Sequence, residues 1–149
     1  MENKQIGKNL FILSSKLRRL LDKKHSKNGL YAGQARILRY LYKNKSEVTY
    51  QKDLENAFQI RGGTVTGMLD SLVKNNLIER VESNKDKRKR VILLTKAGEE
   101  LALKGIETTN IMEDNLSSLL TNKEQLIFDE ILNKINNWID EEENNEKVI

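Results

Sequence analysis

The sequence contains no cysteine and only one histidine, His25. Without cysteine, this chain cannot form disulfide bonds, use a catalytic thiolate or sense oxidants through a thiol. Zinc sites are built mainly from cysteine and histidine, so we predict no metal and no cofactor. His25 follows Lys23 and Lys24 at the end of a predicted helix, where a cation is favourable, and we interpret it as a structural or surface residue.

Proline is also absent, and no apolar run approaches the ~18 residues that a membrane-spanning helix needs. The first residues, MENKQIGKNLFIL, lack the pattern of a secretory signal peptide, because polar residues interrupt a short apolar run. We therefore expect a cytoplasmic protein with no membrane partner. The length of 149 residues, with 38% hydrophobic and 32% charged residues, is typical of one helix-rich domain with a buried core.

Charge is unevenly distributed along the chain. Residues 1–96 carry 22 Lys and Arg against 9 Asp and Glu, whereas residues 97–149 carry 4 against 13. The first part is therefore strongly basic, although the whole chain has a net charge of only +4. A basic part of this kind attracts polyanions such as nucleic acid, but a solvated surface with a chance asymmetry gives the same count.

Apolar residues at spacings of three and four predict four helices in the first half of the chain, over about 5–24, 34–43, 50–57 and 63–75. Because proline is absent, the ends of these helices have to be predicted from caps and glycines. Thr49 is the expected N-cap of the third helix. The segment QIRGG is the expected turn before the fourth helix.

The pattern then becomes extended. LIERVES and KRVILL are two β-prone runs on either side of a basic segment, which predicts a hairpin. Thr95 is the expected N-cap of a long fifth helix, which Gly98 and Gly105 weaken locally. Thr121 and Glu124 have the spacing of a capping box that opens a sixth helix. This order predicts a mainly α fold with a small β-hairpin wing: a winged helix-turn-helix core plus N- and C-terminal helices.

The stretch from Thr49 to Arg80, TYQKDLENAFQIRGGTVTGMLDSLVKNNLIER, resembles the MarR family of bacterial transcription regulators. The resemblance lies in QKDL at the start of the third helix, TVT at the entry of the fourth and LVKNNLIER before the wing. It continues with the motif DxR at residues 86–88 and with LTKAG at residues 94–98. The segment GLYAGQARILRYL resembles the family's entry to the second helix.

This resemblance implies a single MarR-like domain over residues 1–149, with a DNA-binding module over about 30–96. The helices over about 5–24 and 97–143 are implied to form a homodimer. Their apolar stripes are broad for a chain of this size to cover, although packing within one chain is the alternative. The residues predicted for the dimer interface are Leu10, Leu13, Leu17, Leu126, Ile131, Leu132, Ile135 and Trp138.

A recognition helix contacts DNA mainly through its first turns, which in this chain consist of small residues. Small residues let the backbone approach DNA, and N–H groups at a helix N-terminus favour phosphate. Because several of these positions depart from the family pattern, specificity is expected to depend on the wing and on DNA shape. The alternative is that the glycines only form a turn and the threonines only cap it. The residues predicted to contact DNA here are Arg61, Gly62, Gly63, Thr64, Thr66 and Gly67.

The segment NKDKRKR, residues 84–90, combines five cations with one carboxylate. Asp86 can accept a hydrogen bond from the Arg88 guanidinium and so orient it. The resemblance implies that Arg88 enters the minor groove, which attracts a planar, weakly hydrated cation. The alternative is an incidental surface ion pair, worth about 0–1 kcal/mol. The predicted DNA-binding residues of the wing are Lys85, Asp86, Lys87, Arg88, Lys89 and Arg90. At the start of the third helix, Tyr50 and Gln51 are predicted to contact phosphate. The alternative is that they only pack at the helix cap.

These features predict a homodimeric repressor that binds double-stranded DNA at a pseudo-palindromic operator. The resemblance implies relief by a small aromatic or phenolic anion, and the residues to inspect for its pocket are Phe11, Arg18, Tyr40 and Met68. We predict no enzymatic activity, since GxGxxG, Walker, HExxH and serine-elbow motifs are absent, although a nuclease using only carboxylates has no such signature. The other alternative is a winged-helix module for protein–protein interaction without specific DNA binding.

Overall fold

The computed structural model describes residues 4–147. The predicted domain, residues 1–149, therefore has three residues at its start and two at its end that lie outside the described residues. The described elements are α1 (Ile6–His25), α2 (Ala32–Lys43), α3 (Gln51–Phe58), α4 (Gly62–Lys74), β1 (Ile78–Glu82), β2 (Arg90–Leu94), α5 (Lys96–Ser118) and α6 (Asn122–Lys147). The predicted fold, mainly α with a β-hairpin, is confirmed. No helix within residues 4–147 has the length and hydropathy that crossing a membrane requires.

The backbone forms two compact units that meet along the chain between Thr108 and Thr109. The first unit contains an aliphatic core to which α2, α3, α4, the hairpin and the start of α5 all contribute. Burial of these side chains fixes the helix-turn-helix pair against the hairpin, because each element loses apolar contact if it moves alone. The largest fully buried side chains are Ile37, Leu38, Leu54, Val65, Leu69, Leu72 and Ile78.

The start of α3 differs from the prediction. Tyr50, not Thr49, is the N-cap residue, and the Asp53 carboxylate accepts a hydrogen bond from the Tyr50 N–H at 2.8 Å. Thr49 is buried, and its carbonyl oxygen accepts a hydrogen bond from the Ile92 N–H at 2.9 Å. Pairing with β2 thus shifts the helix start by one residue, a choice that the local sequence does not reveal.

The hairpin is antiparallel, and its register runs from Ile78 opposite Leu94 to Glu82 opposite Arg90. Asn76 has a φ of 57° and makes the sharp turn from α4 into β1. β2 begins at Arg90, which is the last residue of the basic run NKDKRKR. Most of that run forms the loop at the hairpin tip, where side chains are not constrained to alternate between two faces.

The predicted caps of the last two helices are confirmed. The Thr95 hydroxyl accepts the Gly98 N–H at 3.0 Å, which caps α5. At α6, Thr121 and Glu124 exchange hydrogen bonds of 3.0 and 3.2 Å, as a capping box requires. Gly98 also has a structural role, because the backbone of α5 passes close to Leu77 here. A Cβ at this position would lie 1.9 Å from the Leu77 carbonyl oxygen. Close approach of two backbones, rather than helix propensity, explains this glycine.

His25 is not the helix-end cation that its sequence context indicates. Its side chain is 2% exposed, and its Nδ1 atom has no hydrogen-bond partner among the described residues. Burial lowers the pKa of the His25 imidazole, and the nearby Asp22 carboxylate opposes this effect only in part. His25 is therefore a neutral core residue at neutral pH.

The burial of His25 predicts that the protein loses stability as the pH falls. The pKa of His25 in the folded state lies below its unfolded value of about 6.5, so the unfolded chain binds more protons between these two values. We expect the free energy of unfolding to fall as the pH drops below about 6.5 and to level off below the folded-state pKa. Urea titrations of the wild type and of His25→Gln at several pH values measure this. An equal slope against pH in both proteins would contradict the prediction.

Candidate nucleic-acid interface

The first turns of α4 present backbone and small side chains to solvent. Arg61 is the N-cap, and no side chain caps the helix there. Beyond it, Gly63, Thr64 and Gly67 are exposed. A Cβ at Gly63 or Gly67 would meet nothing within 4 Å, and neither residue has a positive φ, so the fold does not require glycine at either position. Gly62 differs, because a Cβ there would come within 3.1 Å of the Glu55 carboxylate.

Gln51 and Thr66 tie the start of α3 to the start of α4. The Gln51 side-chain amide donates hydrogen bonds to the Gly62 carbonyl oxygen at 3.2 Å and to the Thr66 hydroxyl at 2.9 Å. The Thr66 hydroxyl in turn donates to the same carbonyl oxygen at 2.9 Å. These bonds set the relative position of the two helices. Both residues therefore have structural partners, and their contacts with DNA stay predictions.

The predicted hydrogen bond between Asp86 and Arg88 is present at the hairpin tip. The Asp86 carboxylate accepts the backbone N–H of Arg88 at 3.0 Å and lies 3.4 Å from the guanidinium Nε. The Arg88 side chain is otherwise 91% exposed, so this contact orients it without burying it. The neighbouring side chains of Lys85, Lys87, Lys89 and Arg90 are also exposed. The arrangement presents a concentrated positive charge with one directed guanidinium.

A groove of about 580 Å³ lies between the starts of α3 and α4 and the hairpin. Thr66 and Arg88 both line it, so the recognition helix and the wing share one surface. Arg80 also lines this groove, and it binds the Asp70 carboxylate of α4 at 2.7 Å. Sequence analysis missed Arg80, because its partner lies ten residues away on another element and only the fold brings them together.

Comparison with family models matches residues 30–89 to the MarR family. Over 89 residues the chain is 30% identical to the HTH-type transcriptional repressor YetL of Bacillus subtilis (strain 168). This match covers 60% of the chain and 53% of YetL, so the chain spans about half the length of that relative. MepR of S. aureus, solved as a DNA complex, superposes with a TM-score of 0.86 at 25% identity, covering 93% of this chain and 99% of MepR. Together these matches support a relationship to the MarR family. MarR of Oenococcus oeni PSU-1 superposes with a TM-score of 0.75 at 28% identity, covering 89% of this chain and 98% of that one.

Each unit of the chain exposes large apolar side chains on a long helix. In the first unit, α1 exposes Ile6, Phe11 and Leu13 by 60–78%. In the second unit, α6 exposes Leu126 by 71% and Trp138 by 60%. Of the remaining residues predicted for the dimer interface, Leu10, Ile131 and Leu132 are exposed, and Leu17 and Ile135 are half-buried. Exposed apolar faces of this extent are typical of protein interfaces.

A second groove, of about 760 Å³, lies between α1, α2 and α4. Arg18 and Met68, two of the four residues to inspect for a ligand pocket, line this groove. Phe11 and Tyr40, the other two residues to inspect, do not line this groove: Phe11 is 78% exposed on α1, and the Tyr40 ring packs edge-on against Phe58 at 5.7 Å. The Arg36 guanidinium, which also lines the groove, lies 4.6 Å from the centre of the Phe58 ring.

Proposed function

We propose that this MarR-family regulator binds double-stranded DNA sequence-specifically as a homodimer and represses transcription by occluding a promoter. The observation that carries the proposal is the groove lined by both Thr66 of α4 and Arg88 of the wing. A protein that places a helix in the major groove and a cation in the adjacent minor groove needs these two elements side by side. The DNA complex of the similar MepR supports this assignment.

The roles of the two DNA-facing elements follow from their chemistry. The bare surface at Gly63 and Gly67 lets the α4 backbone approach DNA closely, and its first N–H groups suit a phosphate. The few side chains there can read few base edges, so specificity depends mainly on Arg88 and on the shape of the minor groove. Asp86 supports this role by orienting the guanidinium before DNA arrives.

A second copy of the chain is the proposed partner for the exposed apolar faces of α1 and α6. We assign residues of about 30–96 to the DNA-binding module of one MarR-like domain, and the helices over about 5–24 and 97–143 to dimerisation. Two modules related by a twofold axis would place their recognition helices about 34 Å apart, which matches one turn of DNA and a pseudo-palindromic operator.

The groove between α1, α2 and α4 is the proposed site for a ligand that relieves repression. Its volume suits a small organic molecule, and Arg18 and Arg36 supply positive charge beside the apolar surface of Phe58 and Met68. These groups favour a small aromatic anion such as a phenolic acid. Because Gly63 and Gly67 of α4 also line this groove, an occupant can shift the recognition helix.

Fluorescence anisotropy tests the DNA-binding proposal directly. The protein is titrated into a labelled duplex from the region upstream of its own gene, and separately into a random duplex of equal length, over a series of salt concentrations without magnesium. We expect saturation at two protomers per operator, at least tenfold weaker binding to random DNA, and an affinity that falls steeply with salt because counterions are released.

The other outcomes identify the alternatives. Absence of binding to any duplex at low salt would contradict DNA binding and favour the protein-interaction module. Equal binding to both duplexes would contradict sequence-specific recognition of the upstream region. Cleavage of the duplex after magnesium is added would reveal the carboxylate-dependent nuclease.

A further inference from the structure

Ser83, the residue directly after β1, is only 3% exposed, and its hydroxyl group has three hydrogen-bond partners. Its Oγ accepts the backbone N–H groups of Lys85 at 3.2 Å and of Asp86 at 3.4 Å. It also lies 2.9 Å from the Tyr50 hydroxyl at the start of α3. One buried oxygen thus joins the entry of the wing loop to the helix-turn-helix.

The number of donors around Ser83 indicates the direction of the bond to Tyr50. A hydroxyl oxygen has two lone pairs and one proton, and the N–H groups of Lys85 and Asp86 occupy both lone pairs. We therefore take the Ser83 hydroxyl as the donor to the Tyr50 oxygen, since the 2.9 Å contact by itself fits either direction. This leaves the proton of Tyr50 free to be donated elsewhere, and Tyr50 lines the groove between the recognition helix and the wing.

The bonds from Ser83 continue through the loop to Arg88. The Ser83 N–H donates to the Lys89 carbonyl oxygen at 3.0 Å, which closes the loop at its base. Within the loop, Asp86 accepts the N–H of Lys89 on its carbonyl oxygen and that of Arg88 on its carboxylate, each at 3.0 Å. Ser83 holds Asp86, and Asp86 holds Arg88, so the position of the guanidinium depends on the buried hydroxyl.

A second set of contacts fixes Tyr50 against the same hairpin. The backbone of Tyr50 forms a β-bridge with Val91. The Lys89 ammonium group lies 5.3 Å from the centre of the Tyr50 ring, within the range of a cation–π contact. The Tyr50 hydroxyl therefore has a defined position relative to the wing, which a freely rotating surface tyrosine would lack.

We infer that Ser83 is a positioning residue for DNA recognition: it fixes the loop that aims Arg88 and orients the Tyr50 hydroxyl so that it donates its proton to a DNA phosphate. This inference rests on the proposed DNA binding of the protein. Ser83 itself is buried and does not contact DNA. Its effect on affinity is exerted through Arg88 and Tyr50.

A double-mutant cycle between Ser83 and Arg88 tests this inference. Affinity for the operator duplex is measured by anisotropy for the wild type, Ser83→Ala, Arg88→Ala and the double variant, all well below their unfolding temperatures. We expect Ser83→Ala to weaken binding about fivefold in the wild-type background and only about twofold when Arg88 is already absent, since only its effect on the Tyr50 hydroxyl then remains. Tyr50→Phe, which keeps the ring and removes only the hydroxyl, is expected to weaken binding about threefold.

Two control variants separate positioning from general damage. Ser26→Ala removes an exposed hydroxyl that donates a hydrogen bond to the Lys23 carbonyl oxygen at the end of α1, and we expect unchanged affinity. Ser83→Thr keeps the hydroxyl and is expected to bind at least twofold more tightly than Ser83→Ala. Amide hydrogen exchange of Lys85 and Asp86 in the free protein should be faster in Ser83→Ala than in the wild type.

Each outcome has a distinct meaning. If Ser83→Ala weakens binding equally in both backgrounds, its effect is structural and the positioning inference is overturned. The inference also fails if Ser83→Ala or Tyr50→Phe binds like the wild type while Arg88→Ala loses affinity, and in that case the proposed function stands. If the wild type binds no duplex, the proposed function fails and the inference fails with it, even when the amides of Lys85 and Asp86 behave as expected.

Discussion

Gly98→Ala is expected to destabilise the protein by about 3 kcal/mol or more, although alanine is the better helix former. The added Cβ would lie 1.9 Å from the Leu77 carbonyl oxygen and 3.1 Å from a methyl group of Leu94. That carbonyl oxygen accepts the Thr95 N–H at 3.1 Å, so it cannot move without losing a bond at the start of α5. Chemical denaturation followed by circular dichroism measures the effect.

Gly105→Ala is the matched control for this prediction. It lies in the same helix and is also buried, but its Cβ would make ordinary contacts, 3.8 Å from the Ala35 Cβ and 3.9 Å from the His25 ring. We expect Gly105→Ala to stabilise the protein by up to about 1 kcal/mol, through helix propensity. Both variants are compared at one protein concentration, because the proposed dimerisation would make stability depend on concentration. A Gly98→Ala protein within ~0.5 kcal/mol of the wild type would contradict the close approach of the two backbones.

Arg88→Ala is expected to weaken operator binding at least tenfold, or by about 1.4 kcal/mol, with little effect on the free energy of unfolding. The Arg88 side chain is 91% exposed, so its removal costs little packing. Its loss removes the guanidinium that the proposed function places in the minor groove. Anisotropy with the operator duplex at constant salt measures the loss, and a parallel denaturation curve measures stability.

Lys87→Ala tests whether DNA binding needs the oriented guanidinium of Arg88 or only the positive charge of the wing. Lys87 lies next to Arg88, is exposed and carries the same charge. We expect its removal to weaken binding about twofold or threefold, and equally for operator and random DNA, as for one phosphate contact. Arg88→Lys should lie between Arg88→Ala and the wild type, because it keeps the charge without the planar fork. If Lys87→Ala and Arg88→Ala lose the same affinity, the wing acts only through its net charge.

Local sequence patterns predicted most elements because their causes lie within one or two turns of chain. The capping box at Thr121 and Glu124 and the cap at Thr95 join residues three positions apart, and the structure contains both. The hydrogen bond between Asp86 and Arg88 spans only two residues. Two short β-prone runs predicted the hairpin, and the spacing of apolar residues predicted the helices, because both signals lie within a few neighbouring residues.

Contacts between elements could not be predicted in this way. Thr49 and Tyr50 are adjacent, and pairing with β2 decides which of them caps α3. His25 follows two lysines, as a surface residue would, yet packing of the first unit buries it. The reason for Gly98 depends on the Leu77 carbonyl oxygen, which lies 21 positions earlier in the chain.

The sequence by itself determined the order of elements, the MarR resemblance, the concentrated charge of the wing and the absence of thiol chemistry. Each of these depends on residue identity and on neighbours within a few positions. Tertiary structure alone placed Ser83 against Tyr50, Arg80 against Asp70, and Gln51 against Thr66. These pairs span 10 to 33 residues, and only burial of the shared core brings their atoms within hydrogen-bond distance.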